Sequence, residues 1–413
     1  MRFSIQKDLL KSAMDVAILA VDKKEQDIRS TFLFDVRSED ELVLWSTDRK
    51  MMTKVPTTLV ADTLQGQGKF TVEAGRLQEW IKNVKEDVID VEVEDQTITM
   101  HCGKAKGHFA SRDPAEFPDF QRQLDSPTKL FTGNPTTFSN ALSFVAPFIG
   151  EGTTNNKTAN NMQVTELRGR EMVATDSLSV SLFVVAPTEE GSDSLDAYAE
   201  MLESLGDQPA DIKKRQKLTF KVGRDEIKSL IKFLNKTCTS EFTVSKNDMI
   251  LVESDDGAAF GYTSSIYNLP KIGGLPKALE EPEIWKVNKA NLSDAVSALA
   301  ATADPEDMAL TVKVTGAEGE DGVLELSMKD ALDRNESTYK IPVFREKVAQ
   351  EELSFIVNRD LLVSPLSLYD GDEISVGVSA HDGASNKYVK YVKYHEVTEQ
   401  NDVRVCLVIL RMR

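Results

Sequence analysis

The sequence predicts an α+β protein built from three like domains, each with two helices backed by antiparallel sheets. Three observations carry this prediction. One phrase occurs three times: KFTVEAGRLQEWI at residues 69–81, KLTFKVGRDEIKSLI at 217–231 and ELSFIVNRDLLVSPL at 352–366. Each copy is a short alternating strand, a polar turn, an arginine and then an apolar pattern of helical period. The arginines Arg76, Arg224 and Arg359 stand 148 and 135 residues apart, the length of a whole domain rather than of a solenoid repeat. Finally, each copy is preceded by a similar opening of strand, polar turn and helix of about three turns.

Taken in order, MRFSIQKDLLKSAMDVA opens the first repeat, with Leu9, Leu10, Ala13, Ala17, Ala20 and Val21 as the expected buried stripe of its helix. ELVLWSTD is a strand that runs into a turn at Asp48. VIDVEVEDQTITMHC reads as a hairpin through residues 94–96. The second repeat opens with TKLFTGNPTTFSNALSFVA from Thr128 and repeats the strand-to-turn step in REMVATD, ending at Asp176. It continues into a second hairpin, SEFTVSKNDMILVES, through residues 246–248. PEIWKVNKANLSDAVSALA opens the third from Pro282, and VLELSMKD is a weaker strand-to-turn copy ending at Asp330. Each unit is therefore β-α-β-β-β-β-α-β-β-β. Pro147 falls late in one helix, and Pro365 interrupts another.

Residues 112–127 and 268–282 hold six of the fourteen prolines and read as linkers. The expected domains are residues 1–124, 125–273 and 274–413. An acidic excursion at residues 188–216, partly helical in pattern, is expected to be a solvated outer loop of the second domain.

No apolar run approaches the ~18 residues of a membrane span, and the opening lacks the continuous apolar core of a signal peptide. The expected compartment is the cytoplasm. Cys102, Cys238 and Cys406 are isolated thiols, and the four histidines show no metal-ligand spacing, so no cofactor or metal is expected. No GxxxxGK[ST] loop or GxSxG elbow is present. Asp48 and Asp176 hold matched places in two repeats, which favours turn capping over catalysis.

The net charge is −18, yet the six repeat helices together balance to +4, leaving −22 on the remainder. In the second repeat Lys228, Lys232 and Lys236 recur every four residues, opposite a core face of Ile227, Leu230, Ile231 and Leu234. Arg224 begins that helix. Arg76, Lys82 and Lys85 mark the matching helix of the first repeat, and Lys7, Lys11, Lys23 and Lys24 lie on or beside its first helix. Lys289 and Arg359 stand nearly alone in the third. Clustered cations of this kind bind phosphates without reading sequence. The rival reading is a non-catalytic acidic scaffold of duplicated domains with no DNA role.

MRFSIQKDLLK, ASRDPAEFPDF at residues 110–120, VATDSLSVS at 173–181, SSIYNLPKI at 264–272 and the ending RMR give the chain a resemblance to the bacterial sliding clamp, the beta subunit of DNA polymerase III. The resemblance implies a ring of two chains joined head to tail, with helices lining a hole around double-stranded DNA. It implies a processivity factor that tethers DNA polymerase and is placed by a clamp loader. It also implies a pocket for partner peptides. By position this falls on Thr175, Leu178 and Val180, on Pro270, Ile272 and Leu275, and on Val408, Leu410 and Met412. The length of residues 188–216 and the ending Leu410-Arg411-Met412-Arg413, where the family has a proline, mark a divergent member, such as one encoded by a phage and working in its host's cytoplasm.

Overall fold

The computed structural model describes residues 1–120, 124, 126–151, 161–187, 194–206, 208–265, 269, 281–303, 308–329, 336–379 and 391–409. Among them are the helices α1 (Lys7–Ala17), α2 (Ala74–Asn83), α3 (Pro135–Val145), α4 (Ser194–Glu203), α5 (Pro209–Leu218), α6 (Arg224–Thr237), α7 (Lys289–Ala300) and α8 (Arg359–Val363). The first and third repeats follow the expected β-α-β-β-β-β-α-β-β-β order. The second follows it with α4 and α5 inserted after its fourth strand.

Local chemistry explains the element ends. Asp95, with φ of 52°, supplies the left-handed residue of the hairpin between Val88–Glu94 and Thr97–Cys102. α3 stops at Val145 and passes into a 3₁₀ turn, Ala146–Phe148, that contains Pro147. α8 stops at Val363 and continues as the 3₁₀ turn Ser364–Leu368, which contains Pro365. Asn288 and Asn358 cap α7 and α8, accepting from the backbone N–H groups of Asn291 and of Asp360 and Leu361.

The chain divides into two compact units, Met1–Asn140 with Ser192–Ile266 and Ala141–Gly191 with Tyr267–Arg413. The cut passes through the second repeat, because strands of adjacent repeats join edge to edge. In the first unit Met51–Thr57 pairs with Ala259–Thr263, placing Met52 opposite Gly261. That junction fuses the sheets of two repeats into one of eight strands, and a second sheet of four strands runs from Arg2–Gln6 to Ala105–Ala110 at its edge. In the second unit Ser179–Val184 pairs with Val403–Ile409, and the sheet continues to the edge strand Glu352–Asn358.

Where it is described the acidic excursion is helical: α4 is anchored in the core, while α5 buries none of its residues and is solvated as expected. Tyr198 of α4 is 1% exposed and packs on Phe131 with ring centroids 5.1 Å apart. Its hydroxyl accepts from the Phe220 amide at 2.8 Å. The Ser194 hydroxyl accepts from the Thr132 amide at 2.8 Å and donates to the Thr132 carbonyl at 2.6 Å. Thr132 lies on the edge strand Thr128–Gly133, so α4 covers an edge that would otherwise offer unpaired backbone groups. Residues 188–193 and 207 of this excursion lie outside the described residues.

Candidate nucleic-acid interface and partner groove

In the first unit α1 packs against both α2 and α6, and the three helices lie on the eight-stranded sheet. α1 buries Leu10, Ala13, Met14, Val16 and Ala17. Leu9 is 44% exposed instead of buried, because it sits one residue off the 10-13-14-17 stripe. α6 buries Ile227, Leu230, Phe233, Leu234 and Thr237; Phe233 takes much of the place expected of Ile231, which is half-buried.

The opposite faces carry the cations. Lys11, Lys23, Lys24, Arg76, Lys82, Lys85, Arg224, Lys228, Lys232 and Lys236 are all exposed, and Lys7 is half-buried. Several of them also serve the fold. Lys236 Nζ donates to the Asp15 carbonyl in the last turn of α1 at 3.2 Å, where a cation complements the helix dipole. Lys7 Nζ reaches the Lys85 carbonyl at 3.3 Å, and Arg76 pairs with Glu73 at 2.7 Å.

Two of the expected cations stand elsewhere. Lys289 is half-buried and donates to the Tyr369 carbonyl. The Arg359 side chain is 12% exposed and lies beside Asp360. Both sit at the first turns of capped helices, where the side chain folds back onto its own unit rather than projecting outward.

The two matched aspartates cap matched turns. Asp48 Oδ1 accepts from the Lys50 and Met51 amides at 2.8 and 2.6 Å, while Asp176 Oδ1 accepts from those of Leu178 and Ser179 at 2.9 and 2.7 Å. The preceding threonines, Thr47 and Thr175, donate to the Met51 and Ser179 carbonyls, each at 2.7 Å. Arg49 and Ser177 take the left-handed position, with φ of 77° and 80°. Two copies of one motif thus agree atom for atom, and both carboxylates are occupied by backbone amides.

The second turn leads into an apolar cluster of Val164, Val173, Val180, Leu182, Leu269, Val405 and Leu407. Thr175 is buried and Leu178 half-buried at its end. Val408 does not belong to this face. It pairs with Ser179, and neighbouring residues of a strand point to opposite faces, so Leu407, opposite Val180, stands in its place. Strand alternation could have named Leu407 only if the register were known, and sequence does not give register. Pro270, Ile272, Leu275, Leu410 and Met412 lie outside the described residues. The first unit carries a comparable cluster of Leu33, Val43, Trp45, Met52 and Leu251, which its own Phe117 and Phe120 cover.

Three repeats joined fourth strand to last strand, with helices on one side of the shared sheets, define the architecture of a DNA sliding clamp. Across its full length the chain superposes on the DNA polymerase III subunit beta of Pseudomonas aeruginosa, with a TM-score of 0.75 at 16% identity and 100% of both chains covered. It is similar in the same way to the beta subunit of Thermotoga maritima (TM-score 0.72, 15% identity, 100% of both chains). The Helicobacter pylori beta clamp, solved bound to a DNA ligase peptide, gives a TM-score of 0.69 at 15% identity and the same coverage. Among curated proteins, none matches the chain in sequence. Residues 1–121 match the family described as DNA polymerase III beta subunit, N-terminal domain. The family match thus covers the first repeat, and the likeness to these solved clamps extends the same fold over the whole chain.

Proposed function

We propose that the chain is a DNA polymerase processivity factor, a ring that encircles duplex DNA without reading its sequence and tethers replication proteins to it. The observation that carries this is the helix layer of the first unit, where exposed lysines of α1, α2 and α6 gather on a chain of net charge −18. An acidic exterior repels DNA, and weak, screened contacts through water let a ring slide. No chemistry is asked of any side chain. The working division is residues 1–124, 125–273 and 274–413, and the working compartment is the cytoplasm. Among the described residues no helix is long and apolar enough to cross a membrane.

The way the repeats join supports closure of a ring. At both junctions within the chain, the fourth strand of one repeat pairs with the last strand of the next. The fourth strand of the third repeat, Glu336–Lys347, pairs on its second side only near its end, at Phe344, Arg345 and Lys347 among the described residues. The last strand of the first repeat, Ala105–Ala110, is a sheet edge. A second copy supplies the missing partner for each, head to tail, and six domains turning about 60° each close the circle. Short apolar peptides of the polymerase and clamp loader are received at the surface beside the buried Val180–Leu407 cluster, where the turn carries the half-buried Leu178. Solution mass tests the assembly: two chains at micromolar concentration is the expected result, and one or three would contradict closure of this kind.

A further inference from the structure

We propose that the edge strand Glu352–Asn358 is a docking site for an extended segment of a partner protein, which adds to the sheet as one more antiparallel strand. The strand lies wholly within the second unit, and its edge is independent of the clamp reading above. The three sheets end in six edge strands, and the chain itself supplies partners along four of them. Arg2, at the start of Arg2–Gln6, exchanges backbone hydrogen bonds with Gln65 at 2.9 and 2.8 Å. The Thr71 amide of Gly68–Glu73 donates to the Ser111 hydroxyl at 3.0 Å. The Thr132 amide of Thr128–Gly133 donates to the Ser194 hydroxyl at 2.8 Å. The Lys221 carbonyl of Lys221–Gly223 accepts from the buried Tyr262 hydroxyl at 3.0 Å. Ala105–Ala110 is the edge assigned to ring closure, which leaves Glu352–Asn358. Among the described residues, no hydrogen bond reaches the backbone groups on its outer side.

The register shows which groups those are. The Arg359 amide donates to the Met308 carbonyl at 2.9 Å, and pairing runs on from there, with Asn358 opposite Ala309 and Ile356 opposite Thr311. In antiparallel pairing, successive residues turn their backbone groups alternately toward one neighbouring strand and the other. Leu353, Phe355 and Val357 therefore bond to Ala309–Thr315, while the N–H and C=O groups of Glu352, Ser354 and Ile356 point away from the sheet. Ile356 is 64% exposed, more than any other large apolar side chain among the described residues. The Glu352 side chain, on the same face, is 58% exposed and pairs with Lys313 at 3.0 Å. A bare edge of this kind is a template for another strand. The partner that fits it carries an apolar residue to lie beside Ile356 and, four residues along, a basic one beside Glu352. Main-chain hydrogen bonds supply the affinity and these side chains the selectivity.

The test uses the full-length protein and a capped peptide with the sequence of Phe242–Lys246, FTVSK. Laid antiparallel, it sets its phenylalanine beside Ile356, its valine beside Ser354 and its lysine beside Glu352. The readout is hydrogen exchange at single-residue resolution. The Ser354 and Ile356 amides are expected to exchange fast in the protein alone and to slow saturably as peptide is added. N-methylation of the peptide's valine, whose N–H faces Ser354, should weaken binding about tenfold through loss of a hydrogen bond, whereas N-methylation of its outward-facing serine should not. Ile356→Pro removes an outward N–H and the apolar contact while sparing the bonds to Ala309–Thr315. It should keep the wild-type melting temperature and lose the slowing at Ser354. Amides at Ser354 and Ile356 that are protected without peptide, or that stay fast in millimolar peptide, overturn the proposal. A lowered melting temperature for Ile356→Pro also overturns it, because the Ile356 amide would then bond within the sheet. So does a lowered solution mass for that variant, which would make the edge an interface between copies of this chain.

Discussion

Replacing Arg345 by methionine removes the cation from a fully buried pair in the second unit. Arg345 and Glu283 are both 0% exposed at their side chains. The guanidinium grips the carboxylate two-handedly, with Nε and Nη2 donating to Oε1 at 3.1 and 2.8 Å and Nη2 to Oε2 at 2.9 Å. Its remaining donors meet the carbonyls of Gly316, of Glu351 at 3.0 Å and of Gln350 at 2.7 Å. Gly322 makes room for it, since a Cβ there would stand 3.2 Å from Arg345 Cγ and Cδ and 2.4 Å from the Thr315 carbonyl oxygen. Without Arg345, Glu283 keeps the Ala349 amide at 2.9 Å and loses its cation. Stranding a buried charge costs about 3–5 kcal/mol, whereas replacing both partners by apolar groups is often nearly neutral. Arg345→Met should therefore cost about 3–5 kcal/mol, and Arg345→Met with Glu283→Met should recover most of it. Trp285, fully buried and paired opposite Arg345, reports the unfolding by fluorescence in urea, with Trp45 and Trp80 first replaced by phenylalanine. Burial already pushes the Glu283 carboxyl up from its ordinary value, even beside Arg345. A carboxyl raised in the folded state weakens the fold above its unfolded pKa, so the deficit of the single variant should shrink as pH falls toward that value. A single-variant loss below about 1 kcal/mol, or a double variant as unstable as the single, would refute this account of the pair.

Three further outcomes are expected. Tyr198→Phe leaves the buried Phe220 amide without its acceptor and should cost about 1–3 kcal/mol, seen as faster hydrogen exchange at Phe220; unchanged protection would mean α4 is not an anchor. Asp176→Ala removes the acceptor of two backbone amides and should loosen the turn that carries Leu178, lowering stability by about 1–2 kcal/mol in urea unfolding; an unchanged midpoint would contradict the capping role. Burial, helped by Lys221, lowers the Lys246 ammonium to about 8. The unfolded chain then holds more protons than the folded one between about 8 and 10.5, so stability attributable to this site rises with pH across that window. Lys246→Met should remove that rise, and a pH–stability curve identical to wild type would contradict it.

The order of elements was legible because strands and helices print different periods on the sequence. The repeat unit could be read from Met1 onward, and the capping of Asp48 and Asp176 followed from their matched positions. Three things were not legible, for physical reasons. Strand register decides which face a side chain takes, and this is why Leu407 rather than Val408 joins Val180. The fate of a cation depends on tertiary acceptors: nothing near Lys289 in sequence announces the Tyr369 carbonyl. An acidic, polar stretch resembles a solvated loop until its few apolar residues find a core, as Leu195 and Tyr198 do, at 3% and 1% exposure. The helix lysines Lys228 and Lys232 were found from spacing alone, because a four-residue period on one helix fixes a common face without any tertiary information.

The most direct test of the central claim is topological. The protein is incubated with nicked circular DNA and a bacterial clamp loader, then passed through a sizing column at a salt concentration that screens phosphate contacts. A ring is expected to travel with the circle and to be lost once a single cut linearises it. Equal loss from circular and linear DNA would show that the chain does not encircle its substrate and would contradict the account.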